Sequence, residues 1–233
     1  MTSPKRMARL TGVLYLSLLP FGIFSFVYVP SIIFVHGDIS ETINNIMEHE
    51  WIFRMGTISH LISQLLVVFL ALSMFRLFKY VNKDRTVLMM VLALLGLPVA
   101  FLNEVHNLAV IRLLAPEYNV FTLDQLNAQV MLFLDMSRNG VLIAQIFWGL
   151  WLLPLGLLVY KSGFLPKFLG ILVLIAGCAY LFDSIMQILL PGFLLVSRFT
   201  FIFEIVLPIW LLVKGVNEVN WKKLVPKIEF NNQ

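Results

Sequence analysis

From residue 10 to residue 35 the chain runs without one charged side chain, and five more stretches of comparable length and apolar character follow it. An α-helix rises about 1.5 Å per residue, so crossing a hydrocarbon layer about 30 Å thick takes about 20 residues. Six such stretches cannot all be hidden inside a small water-soluble core. Composition says the same: of 233 residues 60% are hydrophobic and 13% charged, against roughly 45–50% and about 25% in an ordinary soluble domain. A soluble enzyme and a nucleic-acid binder are excluded on this ground. Without β-strand alternation, membrane-spanning helices are what remains, because each satisfies its backbone hydrogen bonds internally.

The reading is an all-α integral membrane protein, a six-helix transmembrane bundle forming a single domain over residues 1–233. Its spans are residues 10–35, 52–78, 86–114, 137–160, 168–190 and 193–213, with 216–233 as a cytoplasmic tail. Lys5, Arg6 and Arg9 precede the first span as in a cleavable signal. The apolar run is too long for one and lacks a small-residue cleavage site, so it is read as retained. Only Pro191 and Gly192 separate the last two spans, which makes them a tight helical hairpin.

Lysine and arginine give the direction. With the amino terminus inside, the inner segments hold Lys5, Arg6, Arg9, Arg76, Lys79, Lys83, Arg85, Lys161, Lys167, Lys214, Lys222, Lys223 and Lys227. The outer side holds Arg54, Arg112, Arg138 and Arg198. Thirteen against four, with every lysine on one side, is the positive-inside pattern. Both termini are therefore expected in the cytoplasm and the chain in the plasma membrane as a multi-pass protein. Most acids fall on or near the outer side, among them Asp38, Glu41, Glu48, Glu50, Glu117, Asp124 and Asp135. The net charge of +4 is absorbed by this topology and does not point to nucleic acid. One cysteine, Cys178, leaves no intramolecular disulfide and no multi-cysteine metal site.

Two outer loops carry helix-start chemistry. Asp38-Ile39-Ser40-Glu41 and Thr122-Leu123-Asp124-Gln125 fit the capping box, in which side chains three residues apart satisfy each other's free amides. Each predicts a short amphipathic helix that lies on the outer membrane surface or covers the bundle.

Polar side chains inside the spans are the candidates for chemistry, since each is costly in hydrocarbon unless paired or hydrated. The second span holds His60 and Gln64 on one face, and the third holds Asn103, Glu104, His106 and Asn107. Gln145 lies in the fourth, Asp183 and Gln187 share a face of the fifth, and Glu204 lies in the sixth. Counted along their helices, His60, Glu104, His106, Gln145, Asp183 and Glu204 fall roughly 10–16 Å below the outer surface. They are read as one polar chamber opening outward above an apolar inner half. Their bland reading is hydrogen bonding between helices. Three carboxylates against so few deep cations favour protonation or a bound cation for at least one.

The run Lys161-Ser-Gly-Phe-Leu-Pro-Lys-Phe-Leu-Gly-Ile-Leu172, with Gly177 and Tyr180-Leu-Phe-Asp183-Ser184 after it, resembles the signature of domain of unknown function 4386 (DUF4386). Arg9-Leu-Thr-Gly-Val-Leu-Tyr-Leu16, Phe53-Arg-Met-Gly56 and the segment from Glu204 through Pro208-Ile-Trp-Leu-Leu-Val-Lys-Gly215 are similar to its first, second and last spans. The resemblance implies a multi-span bacterial membrane protein and brings no reaction, cofactor or catalytic residue.

Three functions are weighed. The leading one is binding or transport of a small polar or cationic ligand by His60, Gln64, Glu104, His106, Asn107, Gln145, Asp183, Gln187 and Glu204. The second is an intramembrane metal-dependent hydrolase, with metal ligands drawn from His60, His106, Glu104 and Asp183, since three protein ligands with an open position suit catalysis. The third is a structural or partner-binding membrane protein. No cofactor is expected, a bound metal ion being the minority case; the partners are the lipid bilayer and a small-molecule or cation ligand, with oligomeric state open.

Overall fold

In a computed structural model the described residues are 3–115 and 121–225. They form helices and connecting turns with no strand. In chain order the helices are α1 (Pro4–Leu16), α2 (Leu18–Ile23), α3 (Val29–Ile33), α4 (Ile39–Glu48), α5 (Glu50–Phe78), α6 (Lys83–Leu113), α7 (Leu123–Lys161), α8 (Lys167–Leu189), α9 (Ser197–Val213) and α10 (Glu218–Leu224). The continuous run Pro4–Ile33 and helices α5 to α8 are each long and apolar enough to cross a membrane, which makes five spans. A sixth is counted if α9 and α10, bent by 97°, are one span. Large apolar side chains such as Phe69, Leu102, Phe199 and Ile202 stand 58–69% exposed, a surface that suits lipid and not water.

The chain divides into two compact units. The first takes residues 1–17, 66–96 and 145–233, and the second residues 18–65 and 97–144.

In the first unit, glycines set the helix spacing. Gly149 and Gly156 on α7 face Gly177 and Gly170 on α8, and both pairs lie seven residues apart. A Cβ added at Gly156 would sit 2.8 Å from the Gly170 carbonyl oxygen, and one at Gly149 would sit 2.9 Å from that of Gly177. The two backbones therefore touch, as small residues allow in membranes. Gly12 does the same for α1 on α9, against Pro208 O and Leu212 N, each 2.8 Å from its added Cβ. The α5–α6 turn is fastened by the Thr86 hydroxyl, which donates to the carbonyls of Phe78 and Asn82. The α8–α9 turn falls at the expected Pro191-Gly192, with Gly192 at φ +92°. The sixth apolar stretch becomes helical only at Ser197, four residues later than its sequence start.

The described part of the C-terminal tail is ordered. Asn217 caps α10 through Asn220 N, Asn220 Nδ2 donates to Gly163 O, and Trp221 Nε1 donates to Leu77 O. Lys227 and the rest of the tail beyond Val225, like Glu117, lie outside the described residues.

The second unit is built on Val29, Ile33, Ile43, Ile46, Phe53, Val110, Ile111 and Val130, all buried together. Between α2 and α3 the backbone makes a π-helical turn, Phe24–Tyr28. It stands immediately before Pro30, which has no N–H for the regular ladder. Of the first capping box one half forms: Asp38 Oδ1 accepts from Glu41 N at 2.9 Å and starts α4, while Asp38 N donates to Val35 O and not to Glu41. The second capping box closes on both sides, Gln125 Oε1 accepting from Thr122 N and Thr122 Oγ1 from Gln125 N.

What it starts, however, is not a short helix: α7 continues for 39 residues to Lys161, through the expected fourth-span start near Ser137. No proline interrupts residues 123–153, and a lone glycine costs only about 1 kcal/mol in a helix. Gly140 instead serves close approach, since a Cβ there would fall 1.8 Å from Asn103 Oδ1.

Candidate functional site

The candidates fall into both units. His60, Gln64, Glu104, His106 and Asn107 belong to the second; Gln145, Asp183, Gln187 and Glu204 belong to the first.

In the second unit α5 and α6 meet through a buried carboxylate. Spacing of four residues puts His60 and Gln64 on one face of α5, and Glu104 on α6 meets them there. Glu104 Oε1 lies 2.5 Å from His60 Nδ1, and Glu104 Oε2 accepts from Asn107 Nδ2 at 2.9 Å. Gln64 Nε2 lies 3.0 Å from the other ring nitrogen, His60 Nε2. The result is a line of groups, Asn107, Glu104, His60 and Gln64. Phe26 closes over the imidazole, its ring edge-on at 4.9 Å. His60, Gln64, Asn103 and Glu104 are all 3–4% exposed.

Two polar atoms here have no hydrogen-bond partner: Gln64 Oε1 and Asn103 Nδ2. A buried polar atom left bare costs about 1–3 kcal/mol. His106 takes no part in the line. It turns to Asn103 Oδ1 at 3.3 Å and to the Phe133 ring.

In the first unit Glu204 on α9 accepts a phenolic hydroxyl on each oxygen, Tyr15 of α1 at 2.5 Å and Tyr180 of α8 at 3.0 Å. Trp151 lies against Tyr15 with ring centroids 5.8 Å apart. Both tyrosines lie in segments that carry the resemblance, yet neither was among the candidate site residues. The signal was available: a phenol inside an apolar span needs a partner, and Tyr180 is one helical turn before Asp183. Gln145 Nε2 reaches the Tyr180 carbonyl at 3.4 Å.

Asp183 and Gln187 do different work. Asp183 accepts from the backbone amides of Val196 and Ser197 at 2.8 and 2.7 Å, two of the donors left free where α9 begins. Gln187 donates to Phe193 O and accepts from Gly192 N, holding the turn itself. Their shared face on α8 is explained by the hairpin they close.

The metal reading fares less well. His60 and Glu104 pair, but among the described residues no group of three or more His, Cys, Asp or Glu side chains comes together to hold a metal ion. His106 is turned to Asn103, and Asp183 is committed to its two amides. Arg54 pairs with Glu50 one turn before it, both about half exposed; such a pair contributes little. Cavities of about 710 and 420 Å³ occur elsewhere, and no residue of either polar network lines them.

The family model described as domain of unknown function (DUF4386) matches residues 10–215, which include every candidate residue. A protein of Archaeoglobus fulgidus, described as an uncharacterized protein, is 39% identical over 74 residues. Those residues are 31% of this chain and 44% of that protein, so the chain spans less than half the length of this relative. No solved structure matches the chain. A model that covers nearly the whole of a chain with five or six membrane-crossing helices places it: this protein belongs to the DUF4386 family.

Proposed function

We propose that this membrane protein binds a small polar or cationic ligand at the Glu104, His60 and Gln64 groups of its second unit. Gln64 Oε1, buried without a partner beside an ionisable pair, carries the reading. A ligand N–H would satisfy that oxygen, and the Glu104 carboxylate would supply the complementary charge.

The test is calorimetric titration of the purified protein in lipid nanodiscs with ammonium, methylammonium and sodium. Binding of one of them is expected, lost in Glu104→Gln and Gln64→Met. No binding of any probe, with both variants altered only in thermal stability, would sink the reading.

We infer further that six helices cross the membrane with both termini cytoplasmic. The charge asymmetry supports the direction. The sixth span rests on α9, whose 17 residues come close to the length a bilayer needs. Single cysteines at positions 3 and 220, in a Cys178→Ser background, should both label from the cytoplasmic side only.

The scaffold reading keeps one specific observation, the complete use of Asp183 and Gln187 by the α8–α9 turn. It accounts for those two residues and leaves Gln64 unexplained.

A further inference from the structure

The first unit holds a cavity of about 710 Å³ at the end where the start of α1, the loop before α8 and the end of α9 come together. No residue of the ligand site proposed above lines it. Its cations are Lys5 and Lys214, and its apolar wall includes Phe164, Leu165, Trp210 and Val216.

The cavity is built by tertiary bonds. Asn217 N donates to Phe164 O at 3.0 Å, tying its two rims together. The stem of Lys5 packs on Gly215, where φ is +69° and an added Cβ would lie 3.3 Å from Lys5 Cγ. Only glycine meets both conditions readily, so the stem of the lysine can lie close against the backbone at this rim.

One acid, Glu218, also lines the cavity. It is already engaged: Ser3 Oγ donates to its Oε1 at 2.7 Å. That bond, with a backbone bond from Lys5 and the charges of Lys222 and Lys5, holds its carboxyl below the ordinary range. Lys214 has a local role too, since a cation at the end of α9 complements the helix dipole. Lys5 stands at a helix start, where a cation is disfavoured. The lining thus carries two lysines against the single acid Glu218, and the positive surplus suits an anion. A bare anion would have no use for the aromatic and aliphatic wall, whereas an amphiphilic one would use both surfaces.

We propose that this cavity binds the phosphate headgroup of an anionic phospholipid, the phosphate between Lys5 and Lys214 and the first part of an acyl chain against Trp210 and Val219. Basic pockets at the ends of membrane helices favour such headgroups, and Trp210 stands where interfacial tryptophans anchor.

Native mass spectrometry of the full chain released from nanodiscs of mixed phosphatidylglycerol and phosphatidylcholine is the test. One phosphatidylglycerol should be retained preferentially, and the preference should fall about thirtyfold in Lys5→Gln with Lys214→Gln, two lysine contributions being lost. The charge-keeping pair Lys5→Arg with Lys214→Arg should retain it, so a folding defect in the glutamine variant does not blunt the test. Equal retention of the two lipids by the wild type overturns the proposal. So does inorganic phosphate alone raising the thermal midpoint in phosphatidylcholine discs as much as phosphatidylglycerol does, since the site would then be one for a free anion.

Discussion

Gly170→Ala is the substitution whose cost follows most directly from the coordinates. A Cβ at residue 170 would lie 2.6 Å from both the Gly156 carbonyl oxygen and the Tyr160 amide nitrogen. Carbon contacts are comfortable only near 3.5 Å, so α7 and α8 must part by somewhat under about 1 Å. Both obstructing atoms are backbone, and no rotamer change removes them. Overpacking of this kind costs about 1–3 kcal/mol, and contacts that cannot yield belong at the upper end. Alanine returns about 1 kcal/mol of helix propensity, leaving a net loss of about 2 kcal/mol. For a chain of this size that is a fall of about 4–8 °C in the thermal midpoint. Gly22→Ala is the control: nothing lies within 4 Å of its added Cβ, so the propensity gain should appear alone, as a rise of about 2–4 °C. Both are read by intrinsic fluorescence during heating in detergent micelles. Should Gly170→Ala match or exceed the wild type while Gly22→Ala rises, the close contact of α7 with α8 is wrong.

Asp183→Ala leaves the amides of Val196 and Ser197 bare and should cost about 2–6 kcal/mol at about 1–3 per group, seen as a lower thermal midpoint with ammonium binding unchanged. Gly140→Ala puts a methyl group on Asn103 Oδ1; the amide should swing away and release His106, read as a shift in its ring resonances by NMR. The Glu218 carboxyl is held low in the folded chain chiefly by Ser3. The contribution of the pair is thus full above the ordinary carboxylate range and is lost as pH falls through the lowered value. Trp221, whose indole donates to Leu77 O, should report α10 loosening by fluorescence there, and Ser3→Ala should move that transition to higher pH.

Much of this was legible because it is local. Asp38 and Thr122 announce helix starts within four residues, Pro191-Gly192 announces a hairpin, and the four-residue step from His60 to Gln64 announces a shared face. What was not legible depends on partners far along the chain. Asp183 reads as a buried charge until α9 folds back and its first amides arrive from residues 196 and 197. Glu204 reads as an unpaired acid because its two phenols stand 189 and 24 residues away. The long α7 was hidden for a different reason: residues 135–140 lose the apolar pattern without containing a residue that stops a helix. Hydropathy marks where lipid begins, not where the helix does.

A count of buried carboxylates is therefore a poor guide to a site in this chain. All three acids singled out by depth have donors on both oxygens: Asp183 from two amides, Glu204 from two phenols, Glu104 from His60 and Asn107. Charge alone does not separate scaffold from site here. Among the amides, two have a bare end, Gln64 Oε1 and Asn103 Nδ2, and both lie in the second unit. Gln187 has both ends used and holds a turn. Gln64 has one end on an imidazole and the other on nothing. Evolution has an inexpensive remedy for a purely structural glutamine with one idle end, which is an apolar side chain of similar length. That the bare oxygen sits beside the imidazole of a His–Glu pair is the reason to look for a ligand there before anywhere else in the molecule.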